Sequence, residues 1–199
     1  KGIVLGRTDF AEADRILIFL TNDRGKIRAI AKGVRKAKAK LAGSIELFSV
    51  SDLTLIAGRG EIDTLISARL VKHYGDIVKD VSRTNLAYDF MKVINKSTED
   101  RAEPEYFELL NKSLSALDNS DITPQLTQLW FQMQLLKLAG HAPNLKTDEA
   151  GDKLLENQKY NFNYDKMCFK QNKTGKFGAS EIKLLRLISA SSTPEIWLR

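Results

Sequence analysis

The hydrophobic pattern of the chain changes its period near residue 70, and this change constrains the fold more than any other feature. Before Arg69 the apolar residues fall into short alternating runs separated by turn residues, which is typical of strands. After Arg69 they recur about every three and a half residues, the spacing of amphipathic helices. We therefore predict an α+β multidomain chain in which a β domain, residues 1–72, precedes a helical domain, residues 73–142.

The β domain is predicted to contain five strands within about seventy residues. Such short strands favour a partly open barrel, because a flat sheet would leave long edges exposed. The third predicted strand, residues 26–32, alternates most cleanly. Its residues 27, 29 and 31 are apolar, while three of the four residues on the opposite side are basic, so one face should be buried and the other positively charged.

Residues that commonly begin or end helices divide the second half of the chain into segments. Pro104 can begin one helix, and Thr123 with Pro124 can begin the next, which Gly140 can end. Residues 143–179 lose the helical period and are interpreted as an irregular or short β insertion. Ser180 can cap a C-terminal helix within residues 180–199, which we expect to pack on the helical domain.

The net charge of +6 belongs entirely to the β domain. Residues 1–72 contain 14 Lys and Arg against 8 Asp and Glu, whereas residues 73–199 contain 17 of each. An excess confined to one segment favours an anionic partner, and nucleic acid is the leading candidate.

The excess is concentrated between residues 24 and 45, which contain no acidic residue. A run of ammonium and guanidinium groups on a strand and its following loop suits a phosphate backbone, because bound phosphates release counterions. The predicted DNA-binding residues of this run are Arg24, Lys26, Arg28, Lys32, Arg35, Lys36, Lys38 and Lys40. Arg59 and Arg7 would extend the path if the hairpin and the first strand share that face.

Motifs for catalysis are missing. No phosphate-binding Gly-rich loop followed by Lys and Ser or Thr occurs, and the two histidines lie far apart. We therefore assign no catalytic residue. A metal-dependent phosphodiesterase using Asp9, Glu12 and Asp14 is an alternative, although surface charges balancing nearby arginines explain these residues more simply.

The longest apolar runs fall far short of the roughly 20 residues that would span a bilayer, so no membrane partner is expected. A single cysteine, Cys168, excludes an intramolecular disulfide and is typical of a reducing compartment. We expect a cytoplasmic, nucleoid-associated protein.

Six sequence blocks occur in an order and spacing that resemble the RecO family of bacterial recombination mediators. They are KGIVL at 1–5, EADRIL at 12–17, GKIRAIAKGVRK at 25–36, GRGEI at 58–62, ARLV at 68–71 and LLKLAGHAPNL at 135–145. The resemblance is most specific at the N-terminal end and is weaker after residue 145.

The resemblance implies an OB-fold joined to a helical domain, with a zinc-ribbon-like insertion in many members. It implies binding and annealing of single-stranded DNA, and leaves open whether double strands are bound. The resemblance also implies that the protein binds RecR and the acidic tail of the single-stranded-DNA-binding protein and helps to load RecA onto DNA. We expect it to do so without nucleotide hydrolysis. Lys137, Lys183 and Arg186 are candidates for that tail. A generic OB-fold protein that binds RNA or single-stranded DNA, with no mediator role, remains the alternative.

The insertion departs from the zinc-binding pattern. Members with the zinc module carry two Cys-x-x-Cys pairs, and the corresponding positions here are Asp148 with Gly151 and Cys168 with Gln171. One cysteine without a nearby histidine does not supply four zinc ligands, so we expect no metal and no cofactor. A small aromatic core of Tyr160, Phe162, Tyr164 and Phe169 is expected to replace the metal.

Overall fold

A computed structural model of the chain describes residues 1–58, 60–98 and 103–195. It divides into two compact units, Lys1–Pro124 and Gln125–Arg199. Strands come first and helices follow, as the change of period predicts, so the α+β class is confirmed. The predicted domain boundaries at residues 72, 142 and 179 stay predictions.

Five strands form the barrel of the first unit. They are β1 Gly2–Phe10, β2 Asp14–Thr21, β3 Gly25–Ala31, β4 Ser49–Ile56 and β5 Ile62–His73. Their order around the barrel is β1-β2-β3-β5-β4, with β3 and β5 parallel and the other neighbouring pairs antiparallel.

The barrel is closed, which corrects the prediction of a partly open one. Closure is completed where the start of β1 pairs with β4, Gly2 opposite Ser51 and Ile3 opposite Val50. β5 continues to His73, and two register shifts interrupt its pairing with β4. Such bulges bend a strand and increase its twist, which lets one long strand serve both sides of a small barrel.

The barrel interior follows the alternation of the strands. Ala29 and Ala31 of β3 are fully buried, as predicted, and Leu17 lies opposite Ala29 on β2. The buried residues of this core are Val4, Leu17, Phe19, Ala29, Ala31, Val34, Ile45 and Leu65. Val34 and Ile45 come from the segment between β3 and β4, so that segment is tied into the core at two points.

Two α-helices are described in the first unit after the barrel. α1 spans Val81–Ser97 and begins where the Asp80 carboxylate accepts a hydrogen bond from the Arg83 backbone N–H. α2 spans Pro104–Asp118 and begins at the predicted proline. The guanidinium of Arg83 donates hydrogen bonds to four backbone oxygens at the end of α2 and just after it, at distances of 2.8 to 3.2 Å, those of Leu117, Asn119, Ser120 and Ile122.

The described part of the second unit contains two α-helices and a small sheet. α3 spans Pro124–Leu138 and is followed by Gly140 with φ of 75°, the left-handed residue that commonly ends a helix. α4 spans Ala179–Ala190 and starts at Gly178, whose N–H donates to the Glu181 carboxylate at 2.8 Å, so Ser180 is not its cap. The side chains of Trp130 and Gln134 on α3 donate to backbone oxygens at the end of α4.

Between these helices lie β6 Asn144–Asp148, β7 Tyr160–Asn163 and β8 Cys168–Gln171, in the order β6-β8-β7. The predicted β insertion is therefore a three-stranded sheet. Among the described residues, no helix has the length and apolar character needed to cross a membrane.

Candidate nucleic-acid interface

The basic loop, residues 32–48 between β3 and β4, is positioned by the barrel itself. Its apolar residues Val34 and Ile45 are buried in the core, and the Arg35 N–H donates to the Ala13 oxygen at 3.0 Å. Gly33 adopts φ of 67°, and its N–H donates to the Asp14 carboxylate at 2.7 Å. These contacts order the backbone that carries the lysines, so less freedom is lost when the lysines engage a ligand.

Four lysines of this region form no ion pair with the acidic residues that the structure describes. Lys32, Lys36, Lys38 and Lys40 are exposed. Within the described part of the chain, none of the four forms an ion pair or a side-chain hydrogen bond. Their ammonium groups are therefore available to an external anion such as a phosphate backbone.

Three arginines of the predicted site, Arg24, Arg28 and Arg35, differ from these lysines, because each has an acidic partner. Arg24 lies 2.9 Å from the carboxylate of Asp63, whose side chain is only 10% exposed. Arg28 lies 3.9 Å from Glu61, with both side chains well exposed. An exposed pair of this kind contributes little and can be exchanged for a phosphate contact, whereas Arg24 places a positive charge beside a largely buried carboxylate.

Arg35 takes part in a small charge network at the start of the basic loop. Its guanidinium lies 3.4 Å from the Asp9 carboxylate, which also accepts a hydrogen bond from Arg15 at 2.9 Å. The Arg15 hydrogen bond is the main cause that lowers the pKa of Asp9, and the positive charge of Arg35 adds to it. Arg7 instead pairs with Glu46 at 3.3 Å.

Lys26 occupies a different environment from the one that the strand alternation suggested. Its ammonium group donates to the backbone oxygens of Asn95, at 3.0 Å, and Thr98, at 2.5 Å. Both acceptors lie at the C-terminal end of α1, about seventy residues away along the chain. No local sequence pattern marks this contact, so sequence reasoning missed it. The remaining predicted residue, Arg59, lies outside the described residues.

The acidic residues of the alternative phosphodiesterase site are not arranged to hold a metal. Asp9 binds arginines, and the Asp14 carboxylate accepts the Gly33 N–H, as described above. Glu12 contributes its backbone oxygen to Arg35. In residues 1–58, 60–98 and 103–195, no three His, Cys, Asp or Glu side chains come together as a potential metal site.

The sheet of the second unit has an aromatic core. Tyr160 and Phe169 are buried, and Phe169 contacts Phe162 and Phe177 edge to face at 5.3 and 5.4 Å between ring centres. Phe177 was missed by sequence reasoning because it follows the last strand. Tyr164, which was expected in this core, touches Phe162 but is 78% exposed.

The positions that correspond to zinc ligands hold other interactions. The Asp148 carboxylate accepts the N–H groups of Ala150 and Asp152 at 2.9 and 3.0 Å and so stabilises a turn. Cys168 is buried and free. The residues present do not fit a tetrahedral zinc site, which needs four sulfur or imidazole ligands.

The three candidates for a partner's acidic tail all have intramolecular contacts. Lys137 donates to the Ser189 oxygen, Lys183 lies 2.7 Å from Glu156, and Arg186 donates to the Leu145 oxygen at 2.8 Å. The Lys183 pair is exposed and can open, but Arg186 joins α4 to β6.

A five-stranded closed barrel in the order β1-β2-β3-β5-β4, with a basic loop between β3 and β4, defines an OB-fold protein. Family models assign the chain further. The model described as "Recombination protein O N terminal" matches residues 1–74, and that described as "Recombination protein O C terminal" matches residues 79–197. The chain belongs to the RecO family of DNA repair proteins.

Curated relatives support this assignment along most of the chain. The DNA repair protein RecO of Dehalococcoides mccartyi is 32% identical over 205 residues, which cover 99% of this chain and 80% of the relative. The protein of the same name from Bifidobacterium longum subsp. infantis is 38% identical, with 74% of this chain and 62% of the relative covered. That from Listeria welshimeri is 30% identical, with 73% and 56% covered. The chain thus spans less than two thirds of the length of the latter two relatives.

Proposed function

We propose that this chain binds DNA through its basic loop and acts as a recombination mediator in DNA repair. It holds and anneals single strands, and helps load RecA onto DNA coated by the single-stranded-DNA-binding protein, with RecR as a further partner. Membership of the RecO family supports the role in repair. The observation that carries the DNA site is the group of four lysines that have no acidic partner among the described residues, beside an ordered loop backbone.

The DNA site in this proposal consists of the basic loop with the outer face of β3. Lys32, Lys36, Lys38 and Lys40 supply the free charges, and Arg28 and Arg35 contribute after exchanging their exposed carboxylate partners for phosphates. Arg24 and Lys26 have structural contacts and are secondary members of the site. Arg59 remains a proposed contribution from the β4–β5 connection.

The mediator acts without nucleotide hydrolysis in this proposal, because the sequence contains no phosphate-binding loop for ATP or GTP. It therefore works stoichiometrically. Binding energy alone has to shift DNA and partner proteins between bound states, which is possible when each partner prefers a different state.

The DNA site is tested by the salt dependence of single-strand binding. The triple variant Lys36→Ala, Lys38→Ala and Lys40→Ala should bind more weakly, and its slope of log affinity against log salt should be shallower by roughly two units, at about 0.7 per lost contact. The variant Lys92→Ala, Lys173→Ala and Lys176→Ala removes the same charge at exposed sites outside the loop and serves as the matched control. Equal slopes for the two triple variants would refute the site.

The mediator role needs a second experiment. Complementary strands coated with the single-stranded-DNA-binding protein should anneal in the presence of this chain, and annealing should fall when that protein lacks its acidic tail. Annealing that is indifferent to the tail, or equal affinity for matched RNA strands, would instead indicate a generic nucleic-acid binder.

A further inference from the structure

Phe10 is an exposed aromatic ring at one end of the barrel. The other aromatic rings of residues 1–74, those of Phe19, Phe48 and Tyr74, are at most 3% exposed, whereas Phe10 is 48% exposed. An aromatic ring that stays half exposed does not gain the full free energy of burying its apolar surface. A ligand that covers the face of the Phe10 ring would therefore bury this exposed apolar surface.

The ring stands on a hairpin that is fastened to the basic loop. Phe10 ends β1 and pairs with Asp14, the first residue of β2. The Asp14 carboxylate accepts the Gly33 N–H at 2.7 Å, and the neighbouring Ala13 oxygen accepts the Arg35 N–H at 3.0 Å. The base of the ring and the start of the lysine run are thus held together before any ligand binds.

Phe10 also shares a face with the exposed side of β2 and β3. Residues directly opposite in a ladder point to the same side, and every second residue of a strand repeats that side. Asp14, Ile16 and Ile18 of β2 therefore lie on the same side of the sheet as Phe10. Ile16 pairs with Ile30 of β3 and Ile18 pairs with Arg28, so these two residues lie on that side as well. Leu17 and Ala29, on the opposite side, are fully buried in the core.

The outer face of β2 and β3 therefore combines apolar surface, a cation and an exposed ring. In five-stranded barrels of this order, the face of the second and third strands and the loop between the first two are the common surface for oligonucleotides. Non-specific single-strand sites combine such a charged groove with aromatic rings on which bases stack.

We propose that Phe10 stacks on an unpaired base of a single strand whose phosphates are held by the basic loop. This inference rests on the proposed DNA binding and adds a preference to it. The bases of a duplex are already stacked on one another and cannot cover the ring, so Phe10 favours single strands over double strands. Stacking involves no counterion release, so it contributes affinity without changing the salt slope.

The test compares three variants on three DNA ligands of equal phosphate count: a mixed-sequence single strand, an abasic single strand and a duplex. Phe10→Ala and Phe10→Leu should weaken single-strand binding by about fivefold to 150-fold, the range expected for one stacked base. Their salt slopes, and their affinities for the abasic strand and the duplex, should equal those of the unaltered protein. Phe10→Tyr keeps the ring and should keep the affinity.

Tyr164→Ala removes another exposed aromatic ring, in the second unit, and is the matched control. A fluorescent base analogue in the strand gives an independent readout, because stacking on Phe10 should quench it and Phe10→Ala should remove that part of the quenching.

The stacking proposal is overturned if Phe10→Ala binds the single strand normally, if Phe10→Leu restores full affinity, or if duplex binding falls equally. A Phe10→Ala variant that binds DNA normally but loses a protein partner would make the ring a protein contact. The triple lysine variant shows whether the stacking proposal or the whole DNA site is wrong. If both Phe10→Ala and the triple lysine variant bind single-stranded DNA normally, the proposed DNA site is wrong. If the triple lysine variant binds weakly while Phe10→Ala binds normally, only the stacking proposal is wrong.

Discussion

The ammonium group of Lys26 donates a hydrogen bond to the backbone oxygen of Thr98 at 2.5 Å, which joins β3 of the barrel to the C-terminal end of α1. A second bond goes to the Asn95 oxygen at 3.0 Å. The last carbonyl groups of a helix lack intrahelical donors and form the negative end of its dipole, so a cation placed there is stabilising. Lys26 is thus a structural residue within a run of basic residues that otherwise face solvent.

Lys26→Met should therefore lower stability more than it lowers DNA affinity. Hydrogen bonds from a charged donor typically contribute about 1.5 to 3 kcal/mol, and urea denaturation should show a loss of that order. The salt slope of DNA binding should fall by clearly less than the roughly 0.7 of a full phosphate contact, because Lys26 is only a secondary member of the site. Lys32→Met is the control, because Lys32 is exposed and should lower the slope by about 0.7 with little change in stability. The reverse pattern would place Lys26 among the phosphate contacts.

The alternation of buried and exposed residues along β3 was predictable from sequence, but the contacts of its basic side chains were not. Ala29 and Ala31 are buried and Arg28 and Lys32 are exposed, because a half-buried strand has a side-chain period of two. The period fixes which side a residue faces. It does not reveal what packs against that side, and the acceptors of Lys26 belong to a helix far along the chain.

Tyr74 should make stability depend on pH in the alkaline range. Burial raises the pKa of Tyr74 from 10.0 to about 12, and the nearby carboxylates of Asp118 and Glu108 add to the shift. Its hydroxyl also contacts the Asn111 amide oxygen at 2.5 Å. Between pH 10 and 12 the phenol ionises in the unfolded chain but stays protonated in the folded one, so the unfolded state is favoured as pH rises.

Folding stability should therefore be insensitive to this group below pH 10 and should fall as pH rises from 10 to 12. Phenolate absorbance of the folded protein should show a late-titrating component that disappears in Tyr74→Phe. The alkaline loss of stability should be smaller in Tyr74→Phe than in Tyr88→Phe, which removes a phenol at an exposed position. Identical alkaline profiles for the two variants would contradict the assignment.

Gly175→Ala should disrupt the sheet of the second unit. A Cβ atom at Gly175 would lie 2.5 Å from the backbone of Tyr160, which is closer than real Cβ contacts allow. Tyr160 and Phe177 exchange two backbone hydrogen bonds at 2.9 and 3.0 Å beside this point, so the chains cannot move apart without breaking them. We expect a loss of about 2 kcal/mol or more and faster hydrogen exchange at both amides. Gly43→Ala, where no atom lies within 4 Å, should change neither.

The small sheet of the second unit was predictable in outline only. Alternating aromatic residues indicated a short β segment, and Phe169 is indeed its buried centre. The contact of Phe177 with Phe169 and the exposure of Tyr164 depend on turns whose geometry is set by side chains accepting neighbouring N–H groups, as Asn163 does for Asp165 and Lys166. Such turns can be recognised by residue type, but the direction in which the chain leaves them cannot.

The turn at Asp148 should make the small sheet independent of metal. Its carboxylate accepts two backbone N–H groups where zinc-binding members of the family would have a cysteine, and the aromatic contacts around Phe169 fill the centre of the sheet. A strong chelator should therefore leave the urea midpoint of the protein unchanged. Asp148→Ala leaves two N–H groups without their acceptor and should cost about 1 kcal/mol, whereas Asp148→Asn keeps an acceptor oxygen and should cost less. Stoichiometric zinc in the purified protein, or a midpoint that falls on chelation, would show that a metal stabilises this sheet. In that case Asp148 would have to act as a ligand, and its substitution by Asn would be as harmful as its substitution by Ala.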